Sequence, residues 1–129
     1  MNLVLNQPQL YGVEEHKNFF VGWPQRPTLE ATKKHLKTAE SIFAVSEGQV
    51  IGLVTALTDK AIFAFLPLLE VRPEFQRRGI GAELVKAMED HLGNLYGIDL
   101  ICDAGVIPFY KSLGFIEWTA MIKRNGTGN

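Results

Sequence analysis

The pattern of apolar and polar positions divides the chain into short helices and strands. Helical spacing is clearest over Ile80–Leu92, where apolar residues recur every three or four positions and charged residues occupy the other side. A second helix is predicted to begin after Thr28, whose hydroxyl suits a cap position, and to end near Thr38. The other predicted helices are Val13–Phe20 and Val106–Leu113, the latter ended by Gly114.

Strands are predicted where apolar and β-branched residues run between turn residues. Glu47-Gly48-Gln49 separates two such runs and indicates a hairpin. The predicted strands are Asn2–Leu5, Ile42–Val45, Val50–Leu57, Ile62–Val71, Ile98–Cys102 and Phe115–Lys123. Hairpins followed by strand–helix–strand units indicate an α/β domain with a mixed, mostly antiparallel sheet flanked by helices.

Composition favours one globular domain with little charge bias. With 129 residues, 47% of them hydrophobic, we expect one core over residues 1–124 and a flexible tail over residues 125–129. The net charge of −1 predicts neither nucleic acid nor a membrane as partner. Because the chain has no leader-like start, no membrane-length apolar run and Cys102 as its lone cysteine, we expect a cytoplasmic location.

The turn between the long apolar strand and the longest helix carries the clearest candidate chemistry. Gly79 and Gly81 stand where this helix begins, and glycines there allow a ligand to approach the backbone closely. The first amides of a helix are unpaired and lie at the positive end of its dipole. Since Arg77 and Arg78 add positive charge, the segment is a candidate site for a phosphate-bearing cofactor. The alternative is an ordinary strand-to-helix turn with basic side chains.

Two motifs in order resemble those of the GNAT superfamily of acetyl-CoA-dependent N-acetyltransferases. Gln76–Ala82 is similar to the Gln/Arg-x-x-Gly-x-Gly/Ala motif of the family, and Pro108–Phe115 resembles its Phe-Tyr followed by Gly-Phe. The resemblance covers about Ile42–Ile122 and implies the GNAT fold and transfer of acetyl from acetyl-CoA to a primary amine. Gly22-Trp23-Pro24 and Cys102-Asp103-Ala104 further resemble the plant and microbial arylalkylamine (serotonin-type) branch.

The resemblance also implies which residues act. Acetyl-CoA would be bound, mostly by backbone amides, at Leu69, Val71, Gln76, Arg77, Arg78, Gly79, Ile80, Gly81 and Ala82. The Leu69 N–H would also donate to the thioester carbonyl as an oxyanion donor. Tyr110 would be the general acid toward the departing thiolate, against the alternative that it only anchors a short helix. We expect no metal, because the three histidines have no ligand spacing.

The general base is left open by the sequence. Animal arylalkylamine enzymes of the family carry histidines where this chain has Phe65 and Pro67. Glu70 and Asp103 are candidates to take the proton of the amine through water. The alternatives are a solvated strand-edge carboxylate for Glu70 and a helix cap for Asp103.

The expected acceptor is a small-molecule primary amine, with an arylalkyl amine as one candidate. Phe19, Phe20 and Trp23 either shape a flat apolar pocket for it or fasten their loop onto the core. Two other functions stay open: acetylation of a protein lysine or N-terminal amine, and a non-catalytic acyl-CoA-binding module. Because dimers are common in the family, a homodimer is a further candidate assembly.

Overall fold

The computed structural model describes residues 1–125, and its centre is a five-stranded sheet in the order β1-β2-β3-β4-β5. The strands are β1 (Asn2–Leu5), β2 (Glu40–Ser46), β3 (Gln49–Thr58), β4 (Phe63–Val71) and β5 (Gly97–Asp99). The first four strands pair antiparallel, and β5 pairs parallel to β4. The predicted mixed, mostly antiparallel sheet with flanking helices is therefore confirmed.

The helices of the described chain are close to those that the spacing predicts. They are α1 (Val13–Asn18), α2 (Leu29–Thr38), α3 (Ile80–Leu92) and α4 (Ile107–Ser112). The predicted cap of α2 is confirmed, because the Thr28 hydroxyl oxygen accepts a hydrogen bond from the Ala31 N–H at 3.1 Å. Three short 3-10 turns were not predicted: Pro8–Leu10, Pro73–Phe75 and Ala104–Val106.

The sheet separates two apolar clusters, because successive side chains of a strand point to opposite faces. On one face, α3 packs through Leu84 and Met88 onto Ile42 and Val54. The cluster on the other face joins the strands to α2 and to the segment before it, through Tyr11, Phe19, Phe20, Leu36, Phe43, Val50 and Leu53. The central strand β3 is therefore buried on both faces, as its nearly continuous apolar sequence requires.

Close contact between α3 and the sheet depends on Gly52 in β3. A Cβ atom added there would lie 3.1 Å from Leu84 Cδ1 and 3.2 Å from the carbonyl oxygen of Glu70. Both distances are shorter than ordinary van der Waals contact. The absent side chain at Gly52 thus allows the helix that begins at the glycine turn to lie against β3 and β4.

A β-bulge separates the two halves of β4. Leu66 and Pro67 together lie opposite Ala56 of β3, so the register shifts at this point. A bulge bends its strand, and Pro67 cannot donate a ladder hydrogen bond. Pairing of β4 with β5 ends at Phe65, which faces Asp99. Among residues 1–125, the second half of β4 therefore has no paired strand on the edge that continues from β5.

The predicted last strand over Phe115–Lys123 is wrong. Residues 115–124 form neither helix nor strand, and most of their side chains are exposed. The alternation of apolar and polar residues is that of a strand, but a strand also needs a neighbour for its backbone hydrogen bonds. No other segment among residues 1–125 pairs with this one.

Other differences concern element ends and the chain terminus. The strand predicted over Ile98–Cys102 is the three-residue β5, because the chain turns away from β4 after Asp99. The flexible tail predicted over residues 125–129 lies, apart from Asn125, outside the described residues. Across residues 1–125, no helix has the length and apolar character needed to cross a membrane.

Candidate active site

The turn between β4 and α3 presents a row of unpaired backbone amides. Arg77 has φ +65°, and Gly79, with φ +82° and a left-handed conformation, is followed directly by Ile80, the first right-handed residue of α3. Such an alternation turns successive N–H groups toward one concave side, which is the geometry of an anion-binding nest. Six successive amides, those of residues 77–82, donate to no acceptor among residues 1–125; the first helical bond is from Glu83 N–H to the Gly79 carbonyl, at 3.1 Å.

Side chains of the same turn hold its shape. The Gln76 side-chain amide donates to the Val71 carbonyl at 3.0 Å, and the Gln76 N–H donates to the Pro73 carbonyl at 3.3 Å. The Arg78 guanidinium lies 5.2 Å from the centre of the Phe75 ring, which keeps its charge beside the turn. The family resemblance assigns the Gln76 backbone N–H to the cofactor. In the structure, this N–H and the side-chain amide of Gln76 both already have acceptors within the protein.

The second motif packs directly against the first. A Cβ atom added at Gly81 would lie 3.4 Å from Phe109 Cζ and 3.9 Å from Leu69 Cδ2. Phe109 belongs to α4, so the bare backbone at Gly81 is where α3, α4 and β4 meet. The structure therefore brings together the glycine turn, the strand edge and the Phe-Tyr pair that the sequence singled out.

The open half of β4 offers amides to a ligand at alternate positions. The Arg72 N–H donates to the Ile51 carbonyl of β3 at 2.9 Å. Since N–H groups of an antiparallel strand alternate between its two edges, the Glu70 amide also faces β3, and the amides of Val71 and Leu69 face the open edge. The Leu69 N–H is thus available where the sequence placed an oxyanion donor.

Tyr110 lies in α4 within an aromatic group. Its ring is 4.9 Å from that of Phe109 and 5.6 Å from that of Phe115, both edge to face. Burial, and to a smaller extent the charges of Cys102 and Glu70, raises the pKa of Tyr110 to about 12. The hydroxyl therefore stays protonated and can donate a proton or hydrogen bond near neutral pH.

Glu70 forms hydrogen bonds with the loop after α1. The sequence left Glu70 open as a base or as a solvated carboxylate and did not predict these bonds. Its carboxylate accepts hydrogen bonds from the Phe20 N–H at 3.0 Å and from the Trp23 indole N–H at 3.2 Å. Burial raises the pKa of Glu70, although these two hydrogen bonds partly oppose the effect. Each oxygen keeps a second lone pair, so the carboxylate can still accept a proton or a further hydrogen bond.

The three aromatic residues of that loop divide between two roles. Phe19 and Phe20 are fully buried in the core below the loop, which is the fastening role that the sequence left open. Trp23 is partly exposed and packs edge to face on Phe20 at 4.9 Å. Of the three, Trp23 is the side chain that can contact a ligand.

The remaining candidates have other partners or none. Asp103 is exposed and precedes a 3-10 turn without capping it through its side chain. His16 binds the Tyr11 hydroxyl, His35 binds the Thr55 hydroxyl and His91 binds the Glu40 carboxylate. Among residues 1–125, no group of three or more acidic, histidine or cysteine side chains could hold a metal ion.

Sequence reasoning missed two features that shape the site. The bulge at Pro67 had a signal, since a proline within a strand marks an edge or an irregularity. The hydrogen bonds from Phe20 and Trp23 to Glu70 span about 50 positions of sequence, and no local pattern predicts such a contact.

Comparisons with known proteins agree with this geometry. The family model described as acetyltransferase (GNAT) family matches residues 9–115. A Deinococcus radiodurans R1 structure classed as an acetyltransferase has a TM-score of 0.82 and 37% identity, covering 95% of this chain and 88% of its own. Histone acetyltransferase TAP1 of Glycine max is 32% identical over an alignment of 111 positions, and the match covers 74% of this chain and 47% of the relative.

An algal relative, N-acetyltransferase ycf52 of Pyropia yezoensis, is 29% identical over 75% of this chain and 59% of its own. This chain thus spans about half the length of the curated relatives that it matches. The family model spans residues 9–115, and this range includes both motifs and most of the sheet and helices. The chain therefore belongs to the acetyltransferase (GNAT) family.

Proposed function

We propose that this domain transfers acetyl from acetyl-CoA to a primary amine, with a small-molecule amine as the acceptor. One observation carries the proposal: the unpaired amides of residues 77–82, the open edge at Leu69 and the Tyr110 helix meet around Gly81. An ordinary strand-to-helix turn needs neither a bulged, open strand beside it nor an aromatic helix packed on its glycine.

The residues present fit the cosubstrate. The concave turn over Arg77, Arg78, Gly79, Ile80, Gly81 and Ala82 would hold the pyrophosphate through backbone N–H groups, helped by the dipole of α3. The Leu69 and Val71 amides would pair with the amide groups of the pantetheine arm as a neighbouring strand would. Gln76 would then support the turn from behind by holding the Val71 carbonyl.

Three groups of the chain would carry the chemistry. When bound, acetyl-CoA supplies an activated thioester. The Leu69 N–H would donate to the acyl oxygen, where such a donor typically contributes about 10²–10³ in rate. Tyr110 would donate toward the thiolate sulfur. Glu70 would take the proton of the amine, because a half-buried carboxylate with a raised pKa is a stronger base than an exposed one.

The proposed acceptor side is the face of β4 that carries Glu70. Trp23 borders it, and an aromatic ring beside a carboxylate suits an ammonium or amine attached to a flat apolar group. This arrangement supports a small-molecule amine as the acceptor, and it agrees with the likeness to the arylalkylamine branch. Membership of that branch stays a prediction.

Cosubstrate binding is tested by calorimetry with acetyl-CoA. The native protein should bind, and Gly81→Glu should weaken binding by about a hundredfold or more, because it adds bulk against Phe109 and a negative charge beside the phosphates. Ala31→Glu adds the same charge at an exposed position of α2 and should bind normally. No heat from the native protein with millimolar acetyl-CoA would contradict the proposal.

The acceptor is tested by following thiol release with a panel of amines and lysine peptides. Turnover with arylalkyl or other small amines supports the proposal. A second candidate, acetylation of a protein lysine, is favoured by the histone acetyltransferase name of the soybean relative, and turnover with peptides alone would support it. Binding of acetyl-CoA without turnover on any acceptor would favour a non-catalytic acyl-CoA-binding module.

A further inference from the structure

The loop between α1 and α2 is closed by one arginine. α1 ends at Asn18, and the carbonyls of the last turn of a helix have no acceptor role within that helix. The Arg26 guanidinium supplies the donor, because its Nη2 donates to the carbonyls of both His16 and Phe19, to the second at 3.0 Å. These bonds join the two ends of the segment over residues 19–26.

The backbone inside this closed loop adopts a conformation that is unfavourable for its residues. Phe20 has φ +62° and Gly22 has φ +84°. A glycine adopts such an angle freely, but a residue as large as phenylalanine does so at a cost in free energy. A strained residue persists only where surrounding contacts fix it, and such residues concentrate at functional sites. The strain at Phe20 therefore calls for a contact that depends on it.

That contact is with the Glu70 carboxylate. The Phe20 N–H donates to Glu70 Oε1 at 3.0 Å, and the Trp23 indole N–H donates to Glu70 Oε2 at 3.2 Å. Each donor uses a different oxygen, so together they fix the plane of the carboxylate and the directions of its remaining lone pairs. A base must direct a lone pair at the proton that it takes. The loop thus determines how Glu70 is oriented.

The two halves of the loop are held in different ways. Phe19 and Phe20 are buried in the core, whereas residues 21–26 are exposed. Within residues 1–125, the side-chain hydrogen bonds of this exposed half are those of Trp23 to Glu70 and of Arg26 to the two carbonyls. Arg26 is therefore what fastens the exposed half to α1.

We propose that Arg26 is a positioning residue for the acetyl transfer. By holding residues 19–26 on the end of α1, it keeps the Phe20 and Trp23 donors on Glu70 and so orients the carboxylate toward the acceptor amine. Arg26 acts through Glu70 and contacts neither substrate. The inference rests on the proposed function, and specifically on Glu70 as the general base.

A double-mutant cycle measures whether Arg26 acts through Glu70. Arg26→Gln should lower kcat/KM for the amine by about tenfold or more. It should leave acetyl-CoA affinity unchanged, because the amides of residues 77–82 lie outside this loop. In a Glu70→Gln background the same substitution should change kcat/KM by less than about twofold, since the base that it orients is already absent. A loss from general destabilisation would be equal in the two backgrounds.

A conservative variant and a control accompany the cycle. Arg26→Lys should keep kcat/KM within about threefold of the native value, because one nitrogen of Arg26 contacts both carbonyls and a lysine ammonium has three donors. Lys17→Gln removes a positive charge from an exposed side chain of α1, which pairs with Glu14 at 3.6 Å, and it should leave kcat/KM unchanged. Circular dichroism would check that each variant is folded.

Hydrogen exchange measures the loop without any substrate. The Trp23 indole N–H resonance is assigned by its loss in Trp23→Phe, and in the native protein its bond to Glu70 should slow its exchange with water. Arg26→Gln should accelerate this exchange by about tenfold or more, and Lys17→Gln should not.

The outcomes separate this inference from the proposed function. If the native protein turns over an amine, equal losses in the native and Glu70→Gln backgrounds would overturn the role of Arg26 alone, and so would an exchange rate of Trp23 that Arg26→Gln leaves unchanged. An Arg26→Gln chain that does not fold would assign Arg26 to stability and also overturn it. Absence of native turnover on any amine would contradict the proposed function, and the role of Arg26 would fall with it.

Discussion

The Tyr110 hydroxyl is half-buried, and its proposed role as general acid requires that it carry a proton. Its raised pKa of about 12 keeps it protonated, while an ordinary thiol has a pKa of about 8.5. Complete proton transfer to a free thiolate is therefore less favourable than it would be from an exposed tyrosine. We expect the hydroxyl to act mainly by donating a hydrogen bond to sulfur while negative charge develops there.

Replacing this hydroxyl separates catalysis from packing. Tyr110→Phe keeps the ring between Phe109 and Phe115, so acetyl-CoA affinity should be little changed. Turnover should fall by about tenfold or more. Tyr96→Phe removes an equivalent hydroxyl from an exposed ring that packs on Phe63, and it should be neutral. Equal turnover in Tyr110→Phe would remove Tyr110 from the mechanism.

The role proposed for Glu70 as general base predicts how kcat/KM depends on pH. A base must be deprotonated, so kcat/KM should fall as the pH falls through the raised pKa of Glu70. Glu70→Gln keeps an oxygen that can accept from the Phe20 or Trp23 N–H. It should lower kcat by about tenfold or more and abolish the acidic limb of the profile.

The control for this substitution is Glu30→Gln, which neutralises an exposed carboxylate in the first turn of α2. It should leave both kcat and the pH profile unchanged. An acidic limb that persists in Glu70→Gln with native kcat would assign the proton to another acceptor and leave Glu70 as a support for the Trp23 loop.

At the scale of elements, the contact of α3 with the sheet sets the position of the glycine turn. Gly52→Ala would place a methyl group 3.1 Å from Leu84 Cδ1 and 3.2 Å from a backbone oxygen that cannot move freely. It should lower the free energy of unfolding by about 1–3 kcal/mol. Gly105→Ala, where an added Cβ meets nothing within 4 Å, is the matched control in urea denaturation. Equal stability of the two variants would show that the contact relaxes without cost.

The elements also show what periodicity can and cannot predict. α3 agrees with its prediction at both ends because one helix face is apolar and a glycine stands at each terminus. The hairpin of β2 and β3 agrees because Glu47 and Gly48 both adopt the positive φ that its turn requires. The last strand failed because alternation specifies a strand's faces but not the neighbour that completes its hydrogen bonds.

For the whole molecule, polar contacts connect parts that are distant in sequence. The Glu40 carboxylate accepts hydrogen bonds from Asn6 at 3.1 Å and from His91 at 2.7 Å, and these bonds hold its pKa below the usual value. They join β2 to the turn after β1 and to the end of α3. On the opposite face, His35 of α2 shares a hydrogen bond of 2.9 Å with the buried Thr55 of β3.

The His35 contact makes stability depend on pH. Burial lowers the pKa of His35, so the unfolded chain binds more protons there than the folded one. The contribution of neutral His35 to the free energy of unfolding is complete above the pKa of the unfolded chain, about 6.5. It is lost as the pH falls toward the lower pKa of the folded state. Between about pH 7.5 and 5, the native protein should therefore lose more unfolding free energy than His35→Gln does.

Urea denaturation at several pH values measures this difference. His16, whose pKa burial also lowers, contributes with the same sign but is present in both proteins. An identical pH dependence in native protein and His35→Gln would contradict the assignment of the effect to His35.

The sequence predicted the parts of the candidate site that backbone amides form. It did not predict the contacts between side chains that lie far apart in the sequence. The amides of residues 77–82 follow from a glycine turn at a helix start, and Leu69 follows from its place on the strand before it. The environment of Glu70 depends on Trp23 and on a loop whose path is set by the burial of Phe20. Such contacts depend on the packed core, which local sequence does not specify.

The bulge at Pro67 has a consequence for which thioesters can be used. Pro67 has no N–H, so a thioester displaced toward the start of β4 would find no replacement for the Leu69 donor. The proposed contact with Leu69 therefore fixes the position of the acyl carbonyl along β4. A longer acyl chain would have to extend away from Leu69, because the thioester cannot shift along the strand. We expect discrimination among acyl-CoA chain lengths to be set by the space beyond Leu69 and not by the strand itself.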